Sequence, residues 1–370
     1  VQAACQELEQ DGAVDIIVGN NQKKEIVSIL EEHFKKAEQE SGQHIHMLDI
    51  GGTKEYEDLS ISKVSQHTRA MLKVQDGCNQ FCSYCIIPYT RGRVRSRKPE
   101  AVLQEVNVLA ESGCKEVVLT GIYLSSYGID LTEDHSPALL ELIQSIHEIK
   151  GVERIRLGSL EPRIITRDFV NQLARLPKVC HHFHLSLQSG CEATLKRMNR
   201  HYTPKEYLER CEILREVFSD PAITTDVIVG FPGETEEEFE ITREFLERVH
   251  FYEMHVFKYS RRGGTRAASM PDQVLESVKG MRSDVLIDLE NRMSLEYRKR
   301  FLERPNQVLL EEVMEINGKP YVTGYTKEYV KMAVSEEYLQ DWKGKVLEGY
   351  GKQMLAPEII ELIPKNGKIG

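Results

Sequence analysis

The sequence predicts an α/β chain built around an open, partial barrel of six βα units, with part of another α/β unit before it and a small β-barrel after it. Strand and helix patterns alternate from about residue 69 to 260, which is typical of a parallel sheet with helical crossovers. Six units are fewer than a closed eight-stranded barrel requires, so an open barrel fits better. The pattern then changes to short β-type runs, which favour a small terminal barrel.

The composition is that of an ordinary folded chain. Of its 370 residues, 41% are hydrophobic and 29% are charged, a length that allows two or three domains. The sequence has no apolar run of membrane-spanning length and no secretory leader, so we expect no membrane partner and a cytoplasmic location. The formal net charge of −10 does not indicate a nucleic-acid partner, which would therefore need a local basic patch.

Residues 1–62 carry the pattern of an incomplete α/β unit with a linker. Residues 15–20 form a short apolar run typical of a buried strand, and residues 23–36 have the period of an amphipathic helix. The apolar face of this helix contains Ile26, Leu30 and Phe34. Residues 40–68 are polar and weakly patterned, which predicts a linker. We expect the beginning of this unit to precede Val1.

The predicted central domain spans residues 63–303. Its strands are expected at 70–74, 116–120, 154–157, 182–187, 224–229 and 253–257. Its helices are expected at 99–111, 137–148, 167–176, 192–198, 204–218, 235–249 and 273–303. Prolines 99, 137 and 204 stand where helices are expected to begin, the position at which a missing N–H costs least. In parallel βα folds, chemistry lies at the carboxyl ends of the strands.

The predicted terminal domain spans residues 304–370. Its short β-type runs are expected at 307–316, 321–326, 329–334 and 344–348. The Asn317–Gly318 pair is typical of a hairpin turn.

Three cysteines directly after the first strand give the strongest chemical signal. Cys78, Cys82 and Cys85 have the spacing CxxxCxxC, and thiolates favour iron–sulfur clusters or zinc. No fourth Cys or His lies within the next 25 residues. Three thiolates on a four-iron cluster leave one iron open to a cofactor or substrate, as a closed four-cysteine site does not. The alternative is a zinc site with a distant fourth ligand.

Further motifs accompany the cysteines along the chain, at residues 76–88, 119–122, 188–190, 195–198, 226–235 and 257–267. Together they resemble the methylthiotransferases of the radical S-adenosylmethionine superfamily. Within that family the chain is most similar to the type that acts on N6-threonylcarbamoyladenosine at position 37 of tRNA. The last predicted domain resembles the TRAM domain, a small RNA-binding barrel.

The resemblance implies a reaction and its cofactors. A [4Fe-4S] cluster on the three cysteines would bind S-adenosylmethionine at its open iron, and a 5′-deoxyadenosyl radical would take hydrogen from carbon 2 of the modified adenine. A second cluster, expected only in a longer protein, would supply the methylthio group, and Cys5 resembles one of its ligands. The implied partners are the tRNA anticodon loop and an electron donor such as a flavodoxin or ferredoxin. No acid–base or nucleophilic catalytic residue is assigned.

Residues at the ends of the predicted strands are candidates for binding S-adenosylmethionine. At three of these strand ends a purely structural role is the alternative. It is a tight turn at the second strand, a surface loop at the third and a strand-to-helix turn at the fifth. Glycines at the fifth position would permit close backbone approach to an adenine or ribose. The candidates are Thr120, Gly121, Ser159, Glu161, Gln188, Gly230, Phe231 and Pro232.

A basic segment follows the cysteines and is the candidate RNA-binding surface. Residues 71–100 hold six basic and two acidic side chains, a local excess that phosphates would favour. The alternative is a solvated loop, or arginines paired with neighbouring carboxylates. In the terminal domain, aromatic and basic residues alternate as in single-strand RNA binders. The candidates are Arg91, Arg93, Arg95, Arg97, Lys98, Tyr325, Lys327 and Lys331.

Other functions remain open at this point. Within the same family the substrate would be an isopentenyl-type adenosine of tRNA or an aspartate of a ribosomal protein. Outside it, the chain would be an iron–sulfur RNA-binding protein without turnover, or a βα protein stabilised by zinc.

Overall fold

The computed structural model of the chain describes residues 1–36, 44–59, 68–134, 136–338 and 342–365. Parts of the predicted linker, at 40–43 and 60–67, lie outside the described residues. Within the described ranges, no helix has both the length and the apolar character needed to cross a membrane.

The first unit is a small α/β layer in which strand β1 (Ile16–Val18) pairs in parallel with β2 (His44–His46). Strand β2 lies inside the segment predicted as a linker, so that prediction is wrong at this position. A three-residue strand with a single apolar side chain gives no periodic signal. Helices α1 (Cys5–Glu9) and α2 (Ile26–Lys36) complete the layer.

The apolar face expected on α2 is not buried in the described structure. Ile26, Leu30 and Phe34 are 45%, 39% and 69% exposed, whereas Ile29 is 6% exposed and faces the core. The helix therefore forms as predicted, but through a different contact face.

The central unit confirms the predicted α/β architecture. Six parallel strands follow one another in chain order, and the short antiparallel strand β4 (Arg95–Ser96) pairs with the first of them. Isolated bridges, Ile155 to Val179 and Leu160 to Leu185, connect the two halves of the sheet. The first and sixth strands do not pair within the described chain, so the barrel is open. The six strands are β3 (Arg69–Asp76), β5 (Glu116–Gly121), β6 (Arg154–Leu157), β7 (His182–His184), β8 (Ala222–Val229) and β9 (Glu253–Lys258).

Helices cover the outer face of this sheet, and the main hydrophobic core lies between the two layers. Residues such as Val117, Ile155 and Leu246 are completely buried there. The helices are α3 (Ile87–Arg91), α4 (Pro99–Glu111), α5 (Leu139–His147), α6 (Arg167–Ala174), α7 (Glu192–Arg197), α8 (Pro204–Val217), α9 (Glu236–Val249) and α10 (Glu276–Lys299).

The terminal unit is a closed five-stranded barrel with strand order β10-β11-β12-β14-β13. The sequence analysis omitted β14, because a short apolar run of this kind does not distinguish a strand from a buried helix end. The strands are β10 (Pro305–Ile316), β11 (Lys319–Tyr325), β12 (Lys331–Ser335), β13 (Val346–Ala356) and β14 (Ile359–Pro364).

A buried charge network holds this barrel against the amino ends of the central strands. Arg154 donates to the carbonyl oxygens of Tyr325 (2.7 Å) and Gln307 (3.0 Å). Arg156 donates to the carbonyl oxygen of Lys327 at 2.9 Å and to the Glu116 carboxylate at 2.7 Å. The terminal barrel therefore covers the end of the sheet opposite the cysteines, which follow the carboxyl end of β3.

Candidate functional site

The cysteine loop begins at a position that only glycine can occupy. Gly77 has φ +71°, and a Cβ atom there would lie 1.8 Å from the carbonyl oxygen of Arg93. The next residue, Cys78, donates its backbone N–H to the carbonyl oxygen of Gly92 at 3.1 Å. These contacts fold the loop back over the end of β3 and fix the direction in which the first cysteine leaves the strand.

The rest of the loop is anchored to two neighbouring segments. The Ser83 hydroxyl donates to the carbonyl oxygen of Arg197 at 2.8 Å, and the Asn199 side-chain amide donates to the carbonyl oxygen of Phe81 at 3.0 Å. On the other side, the backbone N–H of Ala267 donates to the carbonyl oxygen of Ser83 at 2.7 Å. These hydrogen bonds to two other segments fix the course of the loop that carries the three thiols.

Two donors point at the cysteine sulfurs. Arg200 Nη1 lies 3.3 Å from Cys82 Sγ, and the backbone N–H of Gln80 lies 3.4 Å from Cys78 Sγ. Burial raises the pKa of the Cys78 thiol to about 11. Burial also raises the pKa of the Cys85 thiol. Metal binding must therefore displace the thiol protons, and the donors stabilise the negative charge that remains on the sulfurs.

The spacing of the sulfurs distinguishes the two metal types left open by the sequence. Within the described ranges, the three Sγ atoms are not all within 4.8 Å of one another. A single zinc ion with Zn–S bonds of about 2.3 Å would hold its sulfurs about 3.8 Å apart. In a four-iron cluster each sulfur binds a different iron, so the sulfurs are farther apart. The loop therefore fits the cluster better than zinc.

A cavity of about 150 Å³ adjoins the cysteines and contains three of the predicted cofactor-binding residues, Ser159, Glu161 and Gln188. No fourth cysteine or histidine is among the described residues that line it. Gln188 has φ +73°, and its N–H donates to the carbonyl oxygen of Asp226 at 2.8 Å. A glutamine in this conformation is strained, and such strain is common where a side chain must reach a ligand.

Three polar residues of the cavity were missed by the sequence analysis. Tyr123, Ser186 and Arg200 line it as well. Ser186 lies two residues before Gln188 in the same strand-end segment, so strand periodicity would have indicated it. Arg200 lies 118 residues from the Cys82 sulfur that it contacts, and no local pattern indicates such a pairing.

The predicted residues at the ends of the second and fifth strands do not line this cavity. The glycines among them pack closely against other parts of the protein. A Cβ on Gly121 would lie 2.9 Å from Gln75, and one on Gly230 would lie 2.3 Å from Lys279. Close packing within the protein therefore explains both glycines. Thr120 precedes Gly121 at the end of β5 and is likewise absent from the lining.

The other two residues of the fifth turn support the cysteine loop from behind. Phe231 is completely buried, and its ring contacts those of Tyr84 in the loop and Tyr259 after β9. The carbonyl oxygen of Pro232 accepts from Arg197 Nε at 3.2 Å.

The basic segment after the cysteines divides into buried and exposed members. Arg95 and Arg97 are 1% and 4% exposed and pair with the carboxylates of Asp76, Asp58 and Glu105, so they are not available to phosphates. This corrects the expectation for these two residues, because ion pairing within the protein already uses their charge. The members that remain accessible are Arg91, Arg93 and Lys98.

The aromatic and basic residues predicted to bind RNA in the terminal barrel lie at the interface with the central unit. Tyr325 stacks on Tyr329 at 4.5 Å and packs under the Arg69 guanidinium. Lys327 donates to the carbonyl oxygen of Pro177. Lys331 lies 3.4 Å from Glu312 and is 17% exposed. Tyr325 and Lys327 therefore attach the barrel to the central unit, whereas Lys331 pairs within the barrel, which corrects the expectation that these residues form a free RNA-binding face.

Cys5 begins α1, and its thiol donates to the Glu9 carboxylate of the same helix at 3.2 Å. This hydrogen bond raises the pKa of the thiol. Its role as a ligand of a second cluster stays a prediction.

Replacing Arg200 with glutamine should make the reduction potential of the cluster more negative by tens of millivolts, because a positive charge and a donor to sulfur are both lost. A redox titration followed by electron paramagnetic resonance measures the potential. Arg243→Gln is the control, because Arg243 pairs with Glu240 and Glu247 on α9 and does not contact a cysteine sulfur. Equal potentials in Arg200→Gln and the unsubstituted protein would contradict this role.

Known proteins resemble this chain over most of its length. The radical SAM superfamily model matches residues 72–246. The threonylcarbamoyladenosine tRNA methylthiotransferase MtaB of Bacillus subtilis is 38% identical over 336 residues, which cover 90% of this chain and 73% of that protein. MtaB of Aquifex aeolicus is 37% identical over 85% of this chain and 77% of its own length.

A second type of tRNA-modifying enzyme and a solved structure also resemble this chain. The tRNA-2-methylthio-N(6)-dimethylallyladenosine synthase of a Thermoanaerobacter species is 42% identical over 82% of this chain and 63% of that protein. Among solved structures, the radical SAM enzyme HemN of Escherichia coli has a TM-score of 0.47 and 16% identity, covering 62% of this chain and 53% of that one.

The cysteine loop, its donors and the adjoining cavity fit a four-iron cluster and S-adenosylmethionine, the cofactors of this superfamily. Together with the similarity to MtaB over nine-tenths of the chain, they identify its class. The chain belongs to the radical S-adenosylmethionine methylthiotransferases and is an enzyme of that type.

Proposed function

We propose that this enzyme transfers a methylthio group to carbon 2 of N6-threonylcarbamoyladenosine at position 37 of tRNA. The observation that carries the proposal is a trio of cysteines in one hydrogen-bonded loop beside a polar cavity whose described lining contains no fourth cysteine or histidine. The names of the two MtaB relatives support the choice of substrate.

The cluster and S-adenosylmethionine, when bound, supply the 5′-deoxyadenosyl radical that an unactivated aromatic carbon requires. The protein's own residues bind and orient. Cys78, Cys82 and Cys85 would hold three irons. Ser159, Glu161 and Gln188 offer polar groups to the amino, carboxylate and ribose groups of S-adenosylmethionine, and Glu161 is itself held by Arg163 Nε at 2.8 Å.

The remaining partners are part of the same proposal. A flavodoxin or ferredoxin would deliver the electron, and a second cluster, with Cys5 among its ligands, would provide the sulfur. The domain division proposed is an incomplete methylthiotransferase domain with its linker at 1–62, the radical domain at 63–303 and a TRAM-like domain at 304–370.

The anticodon loop would approach the face that carries the cysteine loop. Arg91, Arg93 and Lys98 follow the cysteines, and Arg93 lies 4.6 Å from the centre of the Phe81 ring in that loop. The target adenine must leave its stack to present carbon 2, which costs a few kcal/mol and least for an unpaired base. The basic side chains would hold the flanking phosphates while this happens.

Removing one of these charges should weaken tRNA binding and its salt dependence together. For Arg93→Gln we expect the slope of log K against log salt to fall by about 0.7, the value for one single-strand phosphate contact. Fluorescence titrations at several salt concentrations measure it. Arg167→Gln is the control, since Arg167 is 59% exposed on α6 and paired with Glu216. An unchanged slope in Arg93→Gln would remove Arg93 from the interface.

A second candidate substrate is the isopentenyl-type adenosine, favoured by the 42% identity to the dimethylallyladenosine enzyme. Mass spectrometry of tRNA nucleosides from cells that lack this protein distinguishes the two. We expect the methylthio group to disappear from threonylcarbamoyladenosine alone. Its loss from the isopentenyl nucleoside would support the second candidate, and an unchanged profile would refute both.

A further inference from the structure

Inside the open barrel, three neighbouring strands place two histidines and one aspartate together. The residues are His184 on β7, Asp226 on β8 and His255 on β9, and one ligand atom of each lies within 4.8 Å of the other two. Of the described residues, only these form such a group of His, Cys, Asp or Glu side chains. Neither the cysteine loop nor the S-adenosylmethionine cavity uses His184 or His255.

The donor set is that of a divalent transition metal. Two imidazoles and one carboxylate bind zinc or ferrous iron in sites that keep other coordination positions open. His184 Nε2 lies 3.2 Å from Asp226 Oδ2. Two ligand atoms about 2.0 Å from a tetrahedral ion are about 3.3 Å apart, so this pair already has the separation that an ion would impose.

The third ligand lies beside the other two. His255 is exposed, and its ring stacks on that of His184 with centroids 5.9 Å apart and an angle of 24° between the planes. One of its ring nitrogens lies within 4.8 Å of a ligand atom of each of the other two residues.

His184 also has the second contact that metal-binding imidazoles usually have. Its Nδ1 lies 3.1 Å from the Thr224 hydroxyl oxygen. If this nitrogen carries the proton, Nε2 presents a lone pair to the Asp226 carboxylate, and two acceptors then face each other across 3.2 Å. In that tautomer a cation between the two acceptors resolves the conflict, and the Thr224 hydroxyl, which can accept as well as donate, is compatible with it.

The group is reachable from two sides. Asp226 lines a cavity of about 340 Å³ that it shares with Cys85 and Gln188. His255 lines another of about 650 Å³ between α10 and the terminal barrel. Gln188 follows His184 by four residues on the same strand-end segment, so the group lies one or two side-chain layers below the cysteine site. An ion there would be accessible from both cavities.

We propose that His184, Asp226 and His255 form a second metal site, separate from the cluster, that takes a borderline divalent cation such as Zn²⁺ and leaves positions free for an oxygen donor of a bound molecule. This inference does not depend on the substrate proposed above.

The test uses the cluster-loaded protein dialysed against citrate-buffered Zn²⁺. We expect one zinc per chain by elemental analysis, with an X-ray absorption spectrum showing imidazole and oxygen neighbours at about 2.0–2.1 Å and no sulfur at about 2.3 Å. A sulfur neighbour at about 2.3 Å would instead show that zinc had entered an empty cysteine site. The spectrum therefore distinguishes the two sites.

Substitutions of single residues test which side chains bind the zinc ion. His255→Ala alters an exposed side chain and should weaken zinc binding at least ~10-fold while the iron content stays unchanged. Asp226→Asn, which keeps the shape of the side chain, should do the same. His201→Ala, another exposed histidine, should have no effect. Sulfur neighbours, no retained zinc, or equal affinity in His255→Ala would each overturn the proposal.

Discussion

Replacing Cys82 with alanine is expected to abolish reductive cleavage of S-adenosylmethionine, a fall of at least ~10³-fold, or more than about 4 kcal/mol in activation free energy. With two thiolates left, the four-iron cluster loses a ligand and the Arg200 donor loses its sulfur partner. Iron content, visible absorbance and 5′-deoxyadenosine formation after anaerobic reconstitution measure the loss.

A cysteine outside the loop provides the control. Cys211 on α8 is completely buried among apolar side chains. Cys211→Ala should lose some stability, as truncation of a core residue does, yet keep its iron and its cleavage rate. Should Cys82→Ala keep both as well, the assignment of the loop as the cluster site would be wrong.

The second large effect concerns the attachment of the terminal barrel. Glu116 is completely buried and lies between Arg156 at 2.7 Å and Arg69 at 3.0 Å. Glu116→Gln leaves buried guanidinium charges without their carboxylate, which should lower the free energy of unfolding by about 3–5 kcal/mol. Urea denaturation followed by circular dichroism measures this change.

An exposed glutamate tests whether burial is the cause. Glu216 pairs with Arg167 at 2.6 Å, but both side chains are more than half exposed. Glu216→Gln should therefore cost less than about 1 kcal/mol. Equal losses in the two variants would show that the network around Glu116 does not stabilise the chain as described.

The ion pairs of Glu116 should also make the stability of the chain depend on pH. Burial raises the pKa of Glu116, but Arg156, Arg69 and Arg154 outweigh it, so the pKa lies below its ordinary value. The resulting stabilisation is complete above the unfolded-state pKa of about 4.3 and is lost as the pH falls through the folded-state pKa. Glu116→Gln should lose this part of the acid sensitivity, and an unchanged stability profile below about pH 4.3 would argue against it.

Local patterns were sufficient to predict the central sheet and to place the three cysteines in one loop. The six central strands follow apolar runs bounded by turn residues, and the CxxxCxxC spacing places three thiolates in one loop. Strand β2 and strand β14 were missed because a very short or uniformly apolar segment lacks a diagnostic period.

The sequence alone could not decide which charged side chains pair within the protein. It left open whether the arginines after the cysteines are solvated or paired with carboxylates, and the structure shows that Arg97 pairs with Glu105 and Asp58. Arg156 donates to the carbonyl oxygen of Lys327, 171 residues away, and no local pattern indicates such a contact. A charge on its own does not reveal whether it faces solvent or a carboxylate.

We infer that the three cysteines hold a cluster with one iron left open to S-adenosylmethionine. The most direct test is anaerobic reconstitution with iron and sulfide, addition of dithionite and S-adenosylmethionine, and chromatography of the products with mass detection. We expect 5′-deoxyadenosine and methionine in equal amounts. A protein that carries its full complement of iron yet forms no 5′-deoxyadenosine would contradict it.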